Sequence, residues 1–185
     1  MAIELRRRTW TVDEYHRMAE AGVLREDDRV ELIEGEIVEM SPIGSGHARC
    51  VNRLTALLVP PAEGHAIVSV QNPVRLSQRS ELQPDLSLLR RRDDFYPEGP
   101  TPADVLLVIE VAASSMLYDR RVKVPLYGRA RIPEVWIVDL DAGRVEVRRG
   151  PSSDTYREVR TIAAGDMLEP PGLAGMAFDI GVLFS

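Results

Sequence analysis

The chain has 185 residues, enough for one globular domain with a hydrophobic core and too few for two comfortable ones. Hydrophobic residues make up 44% and charged residues 28%, a composition that argues against a disordered chain. The single cysteine excludes an intramolecular disulfide. No apolar run follows the N-terminal arginines as in a signal peptide, and no stretch approaches the length of a membrane helix. The net charge of −6 implies that any contact with a nucleic-acid backbone is local.

The basic residues are unevenly divided between the two common types. Of the 23, only Lys123 is a lysine, and all the others are arginines. A codon usage that favours arginine explains the arginines but not the one lysine that remains. Because arginine and lysine are not chemically equivalent, Lys123 is a candidate functional residue.

The N-terminal part of the chain predicts a helix followed by a β-hairpin. A capping-box pattern at Thr11 and Glu14 begins a helix that ends near Gly22. Two alternating segments, Arg29–Ile33 and Glu36–Met40, then predict two paired strands joined by a tight turn.

The middle of the chain predicts a second helix and a series of strands. The helix covers His47–Leu58 and is ended by Pro60 and Pro61. Four strands are predicted to follow it, at Ala66–Val70, Val74–Leu76, Leu86–Leu89 and Val105–Val111. The last of them is a continuous apolar run, which is typical of a central strand covered on both faces.

The C-terminal part predicts one further helix and more strands. The helix covers Asp119–Ala130, and Pro125 belongs in its first turn or at a kink, so Lys123 is expected near its N-terminal end. Strands are predicted at Glu134–Asp139 and Arg144–Arg149, and late strands or short helices at Tyr156–Ile162 and Ala177–Phe184. We predict one α+β domain over residues 1–185, with helices packed on a sheet.

Two acids and the lysine are the candidate site. Asp85 begins a strand, and Glu110 ends the most apolar strand of the chain. An ionised carboxylate there is costly to bury unless it is paired or holds a metal, although exposure of Glu110 and turn capping by Asp85 are the alternative. Two carboxylates with Lys123 beside them form a possible divalent-cation site, with an ammonium next to the water.

Several motifs in a fixed order carry a family resemblance. They are the ELIEGEIVEMSP segment from Glu31, then His47, QPDL with Asp85, VIEV with Glu110, YDRRVKVPLY with Lys123, and IPEVWIVD from Ile132. This pattern resembles the Uma-type family of restriction endonucleases, a branch of the PD-(D/E)xK nuclease superfamily. The resemblance implies a restriction-endonuclease-like mixed β-sheet flanked by helices. It also implies a Mg²⁺- or Mn²⁺-dependent site for phosphodiester hydrolysis, and location in the bacterial cytoplasm.

The resemblance also implies roles for individual residues. Asp85 matches the motif aspartate, Glu110 the second acid, and the backbone carbonyl of Val111 a further metal ligand. The standard pattern has a lysine two residues after the second acid, where this chain has Ala112. The chain is similar to variants in which that lysine has moved to the following helix, a position that Lys123 matches.

Two more positions match the family pattern with less defined roles. Glu31 matches an acid that assists the metal, and a solvated strand glutamate is the alternative. His47 matches a histidine at the start of the second helix, with no assigned role, and a capping or solvated histidine is its alternative.

Two classes of function remain open. In an active nuclease, water activated by the metal attacks the phosphodiester in line while Lys123 orients the water or shields the developing charge. In a catalytically silent relative, the fold binds nucleic acid or a mobile-element partner. The net acidity favours the silent class, and retention of both acids and the lone lysine favours the active one. We expect DNA as the substrate and a homodimer or higher homo-oligomer that covers an edge strand.

Overall fold

The secondary structure consists of helices and strands that alternate along the chain. The computed structural model describes residues 7–25, 27–113 and 115–185. The helical segments are α1 (Val12–Glu20), α2 (Ser45–Ala62), α3 (Met116–Tyr118), a π-helical turn (Asp119–Lys123), α4 (Val124–Arg129), and two 3-10 turns (Pro102–Asp104 and Ile180–Leu183). The strands are β1 (Val30–Ile33), β2 (Glu36–Glu39), β3 (Ala66–Val70), β4 (Val74–Ser77), β5 (Ser80–Leu82), β6 (Leu86–Arg90), β7 (Val105–Ala112), β8 (Glu134–Asp139), β9 (Arg144–Pro151), β10 (Tyr156–Ala163), β11 (Met167–Leu168) and β12 (Phe178–Asp179).

The strands form a large sheet, a small sheet and a short ribbon. The large sheet has six strands in the order β10-β9-β8-β7-β6-β3, in which β7 and β8 run parallel and the other neighbours antiparallel. The small sheet has the order β2-β1-β5-β4, and β11 pairs with β12. This architecture confirms the predicted α+β fold, a mixed sheet flanked by helices. No helix in the described part of the chain is long and apolar enough to cross a membrane.

The large sheet separates two apolar clusters. Ile109 and Trp136 on one face pack with α2 and the C-terminal segment. Val108 and Tyr127 belong to the cluster on the other face, towards the small sheet and α4. The prediction of a central strand covered on both faces is therefore confirmed for β7. Because side chains alternate along a strand, Glu110 lies on the same face as Val108.

The N-terminal helix and hairpin form as predicted. The Thr11 hydroxyl accepts from the Glu14 amide at 3.2 Å, and the Glu14 carboxylate accepts from the Thr11 amide at 3.0 Å, which completes the capping box. In the hairpin, Gly35 has a φ of +87°, and a Cβ there would lie 2.6 Å from the Cβ of Thr9. Glycine is therefore required at this turn both by its backbone conformation and by the close approach of the N-terminal segment.

The second helix is longer than predicted at both ends. It begins at Ser45 after a Gly44 N-cap, and it contains both Pro60 and Pro61 in its last turn. The prediction that the prolines end the helix before them was wrong. Leu58 and Ala62 are buried in the core, and their packing stabilises a final turn that lacks two backbone donors.

The third predicted helix begins earlier and is less regular than expected. Helical structure starts at Met116, so Lys123 lies well inside the helical stretch, and its expected place near the N-terminal end was wrong. A π-helical turn covers Asp119–Lys123, and the Val124 amide donates to the Asp119 carbonyl. Since Pro125 has no amide to donate, the wide turn occurs where regular helical bonding is interrupted in any case.

The remaining differences are small. Strand β5 (Ser80–Leu82) was not predicted, and it joins the N-terminal hairpin to β4 in the small sheet. Strand β8 has the predicted bounds, and β10 ends one residue later than expected. The segment expected as late strand or short helix contains both, because β12 continues into a 3-10 turn.

Candidate active site

The two predicted acids lie side by side on neighbouring strands. β6 and β7 are antiparallel, with Leu86 opposite Ile109. One step further along this register brings Asp85 opposite Glu110. The Asp85 carboxylate Oδ2 also accepts a hydrogen bond from the Val111 amide at 2.8 Å, which ties it to the backbone of β7.

His47 contacts the other oxygen of Asp85. Its Nε2 lies 2.9 Å from Asp85 Oδ1, and the Gln71 amide group lies 3.5 Å from the same oxygen. His47 Nδ1 is buried and has no hydrogen-bond partner within the described residues. The helix is capped by Gly44, so His47 is not the cap. The His47 side chain is only 17% exposed and contacts Asp85, so it is not a solvated side chain either.

Glu110 and Lys123 form a buried ion pair. Both residues are more than nine-tenths buried, and Lys123 Nζ lies 3.2 Å from Glu110 Oε1 and 3.4 Å from Oε2. The Tyr127 hydroxyl donates to Glu110 Oε1 at 2.5 Å. Exposure of Glu110 at the strand end, the alternative left open by the sequence, is therefore wrong.

Glu31 is the second carboxylate that contacts the lysine. Its Oε1 lies 3.1 Å from Lys123 Nζ and accepts a hydrogen bond from the backbone amide of Gln83 at 2.8 Å. The side chain is only 3% exposed, so Glu31 is not a solvated strand glutamate.

The buried charges perturb one another. Burial raises the pKa of Glu110 to about 8, although Lys123 beside it acts in the opposite direction. Burial also raises the pKa of Asp119, whose carboxylate accepts from the Ser115 hydroxyl at 2.8 Å. Burial opposes the charge on Lys123, but Glu110, Glu31 and Asp119 together raise its pKa. The lysine is therefore held as an ammonium among several acids.

Ala112 lies where a lysine of the standard motif would be expected. It is fully buried in the same apolar cluster as Val124. A lysine side chain at 112 would therefore enter apolar packing, whereas Lys123 reaches Glu110 from the helical segment.

A cavity of about 600 Å³ opens beside these residues. All six positions singled out from the sequence line it, namely Glu31, His47, Asp85, Glu110, Val111 and Lys123. Asp119 also lines the cavity, and Tyr127 supports the site from behind; neither was predicted. Their spacing of four residues on either side of Lys123 places the three on one helix face, and this spacing is the signal that could have found them.

The carboxylate oxygens that line the cavity fit a hard divalent cation of the kind that the resemblance implies. Glu31, Glu110 and Asp119 share one lysine, and Asp85 lines the same cavity, which leaves a surplus of carboxylates. No three His, Cys, Asp or Glu side chains within residues 7–25, 27–113 and 115–185 form a ready metal cluster. Mg²⁺ needs only one or two carboxylates, since water and a backbone carbonyl complete its shell. The Val111 amide points towards Asp85, and its carbonyl points to the same side, beyond the start of β6.

Comparison with known proteins supports the resemblance drawn from the motifs. None of the curated proteins compared with the chain matches it. A solved structure titled as that of a "putative nuclease belonging to DUF820" from Anabaena variabilis is similar, with a TM-score of 0.71 and 17% identity over 94% of this chain and 97% of that chain. At this identity the likeness concerns the fold. The model of the Uma2 family, described as "Putative restriction endonuclease", matches residues 12–181. Since that match covers nearly the whole sequence, the chain belongs to the Uma2 family.

Proposed function

We propose that the chain is a nuclease that hydrolyses phosphodiester bonds of nucleic acid with Mg²⁺ or Mn²⁺ held by Asp85, Glu110 and the carbonyl of Val111. DNA is the substrate we expect. The observation that carries the proposal is the convergence of Asp85, Glu110 and the lone Lys123 at one cavity. Buried carboxylates with perturbed pKa values that line a cleft are typical of active sites.

The residues divide the work between binding and electrostatic stabilisation. A bound divalent cation supplies Lewis-acid activation of water and offsets charge on the phosphoryl group. The Lys123 ammonium donates hydrogen bonds towards the attacking water or the developing negative charge. Arginine is bulkier and has a fixed fork of donors, so it replaces a lysine poorly at such a position. Asp85 is held in place by His47 and the Val111 amide.

The charge of the cavity indicates weak or transient contact with the substrate. Among the described residues that line it, the only arginine or lysine side chains are Arg29 and Lys123. The Arg29 guanidinium donates to the Ser41 carbonyl at 3.0 Å, at the mouth of the cavity. Since affinity for a phosphate backbone rests on cationic contacts, we infer that the metal itself supplies much of the attraction.

The test compares cleavage of single- and double-stranded DNA and RNA with Mg²⁺, with Mn²⁺ and with a chelator. We expect metal-dependent cleavage by the wild type and none by Asp85→Asn or Lys123→Ala, with thermal melts to show that both variants fold. Glu36→Gln, at an exposed position in the hairpin, is the matched control. Unchanged cleavage by either site variant overturns the assignment. No metal-induced rise in melting temperature, together with no cleavage of any of these substrates, favours the silent binding module.

We also propose that the protein is a homodimer or higher homo-oligomer. The large sheet ends in β3 and β10, and the small sheet ends in β2 and β4. Unpaired strand edges favour pairing with a second copy, and twofold symmetry is the commonest arrangement. Sedimentation of the purified protein at two concentrations tests this, and a monomer at both contradicts it.

A further inference from the structure

We propose that Glu31 is a positioning residue that holds Lys123 in place and does not bind the cation. The proposal rests on the proposed nuclease site and assigns a different role to one residue that the family resemblance counts among the acids assisting the metal. It follows from the contacts of Glu31, the freedom of the lysine side chain and the place of Gln83.

One carboxylate oxygen of Glu31 has both of its lone-pair directions occupied by donors. Oε1 accepts from the Gln83 amide at 2.8 Å and lies 3.1 Å from Lys123 Nζ. A carboxylate oxygen has two lone-pair directions, so these two donors saturate it. Asp85 and Glu110, by contrast, are the pair that the β6–β7 register places side by side.

Lys123 needs a second anchor if Glu110 is to bind a cation. A lysine side chain has a flexible four-carbon stem and loses much conformational freedom when it is fixed. Its Nζ contacts both oxygens of Glu110, at 3.2 and 3.4 Å, and the nearer oxygen of Glu31 at 3.1 Å. When Glu110 binds a cation, its attraction for the Lys123 ammonium becomes weaker. Glu31 then remains as the carboxylate that keeps the ammonium at the site.

Gln83 links the same carboxylate to the Asp85 segment. Glu31 and Gln83 are 52 positions apart in the sequence, and Gln83 lies two residues before Asp85. The Gln83 side chain donates to the Gln71 carbonyl, and the Gln71 side chain contacts Asp85. Glu31 therefore sets the position of the lysine relative to the strand end that carries Asp85.

The first experiment uses the fact that Lys123 is the only lysine of the chain. An amine-acylating ester is added to the full-length protein, and mass spectrometry follows the modification of Lys123 against that of the N-terminal amine. We expect Glu31→Gln to speed acylation of Lys123 by about ten-fold or more, since a charge-assisted contact is lost. Glu36→Gln is the control, and we expect it to leave the rate unchanged. An unchanged rate in Glu31→Gln overturns the proposal, whether or not the protein is a nuclease.

The second experiment separates positioning from metal binding. Calorimetry with Mn²⁺ is expected to give Glu31→Gln an affinity within about three-fold of wild type, because Glu31 contacts Lys123 and Gln83 and neither is a proposed ligand. Asp85→Asn is expected to lose about ten-fold or more. A loss in Glu31→Gln equal to that in Asp85→Asn identifies a metal ligand and overturns the proposal. Absence of Mn²⁺ binding by the wild type contradicts the proposed function instead. The acylation rates then still test whether Glu31 keeps Lys123 in place.

A double-mutant cycle then tests whether Glu31 acts through the lysine. We expect Glu31→Gln to lower kcat about ten-fold with little change in KM. In urea melts, we expect the same substitution to lower the free energy of unfolding of the wild type and to cause no further loss in a Lys123→Met background. A loss of equal size in both backgrounds indicates a general structural role and overturns the proposal.

Discussion

Two buried glutamates on the neighbouring strands β7 and β8 have different kinds of hydrogen-bonding and charged partners. Glu134 accepts from Arg149 Nε at 2.7 Å, from Arg149 Nη2 at 3.1 Å and from the Trp136 indole at 2.6 Å. Glu110 has the Tyr127 hydroxyl and an ammonium that it shares with Glu31. Both carboxylates are at most 5% exposed, so burial alone does not distinguish them.

The difference lies in how many carboxylates share each cation. A guanidinium is a planar fork that saturates one carboxylate, and Arg149 does so for Glu134. Lys123 is a point charge among several acids, so Glu110 shares its cation, and burial raises the pKa of Glu110 to about 8. Glu110 also lines the cavity, and Glu134 does not. A buried acid with complete partners is structural, and one with shared partners beside a cavity is available for chemistry.

Replacing Glu110 with glutamine is expected to have the largest effect. Metal-stimulated cleavage should fall at least about 100-fold, a loss comparable to removing one electrostatic group from an active site. Since the substitution replaces a carboxylate whose charge is penalised by burial, the melting temperature at pH 8 should not fall. Cleavage assays and thermal melts of the same preparations measure both effects. Cleavage within a few-fold of wild type would remove Glu110 from the site.

Replacing Arg149 with methionine should produce the opposite pattern. Glu134 would lose its bidentate partner, and the free energy of unfolding should fall by about 3 kcal/mol, at the low end for breaking a buried pair because Arg149 is half-exposed. Urea denaturation measures this loss. Mn²⁺ affinity should stay within about two-fold of wild type, and a larger change would show that the two glutamates are coupled.

The stability of the metal-free protein should fall as the pH rises. Burial raises the folded-state pKa of Glu110 from 4.5 to about 8, so the folded state binds more protons than the unfolded state between these values. The stabilisation from this group is complete below about pH 4.5 and is lost as the pH passes through about 8. Asp119, whose pKa burial also raises, adds to the same slope.

Thermal melts from pH 5 to 9 with a chelator measure this slope. We expect it to become shallower in Glu110→Gln and to stay unchanged in Arg149→Met. Identical slopes in wild type and Glu110→Gln would contradict the raised pKa of Glu110.

The smallest expected effect comes from the tyrosine behind the site. Tyr127→Phe removes a hydrogen bond to Glu110 and should cost about 1–2 kcal/mol in unfolding free energy. Tyr156→Phe is the matched control, because its buried hydroxyl donates to the Ile132 carbonyl at 2.9 Å. Denaturant melts measure both, and only Tyr127→Phe should also alter the pH slope. An unaltered slope would show that Glu110 does not depend on this hydroxyl.

Local signals in the sequence were enough for the regular elements near the site. The capping box at Thr11 and the apolar run of β8 predict their elements closely, because the periodicity and the end residues are local. The three residues of β5 carry no such signal, since their pairing with β1 depends on distant parts of the chain. The π-helical turn likewise combines the missing donor of Pro125 with packing that only the folded chain supplies.

The candidate site was predictable in its members but not in its contacts. Alternation along β1 places Glu31 and Leu32 on opposite faces, yet it does not say whether each face is covered. In the structure both are buried, which turns an apparently solvated acid into a partner of Lys123. The register that sets Asp85 beside Glu110 depends on β6 and β7 being neighbours, and a short motif does not specify neighbours.

The contact of Glu31 with Lys123 has a consequence for the chemical reactivity of the chain. Glu31 lies on β1, which pairs with β2 nearby in the sequence and with the distant β5, whereas Lys123 lies on the helical segment that follows β7. Their contact therefore requires the small sheet and this helical segment to be in place together. The lone lysine thus doubles as an internal reporter: its amine is buried in the folded chain and opens to reagents wherever this contact is lost.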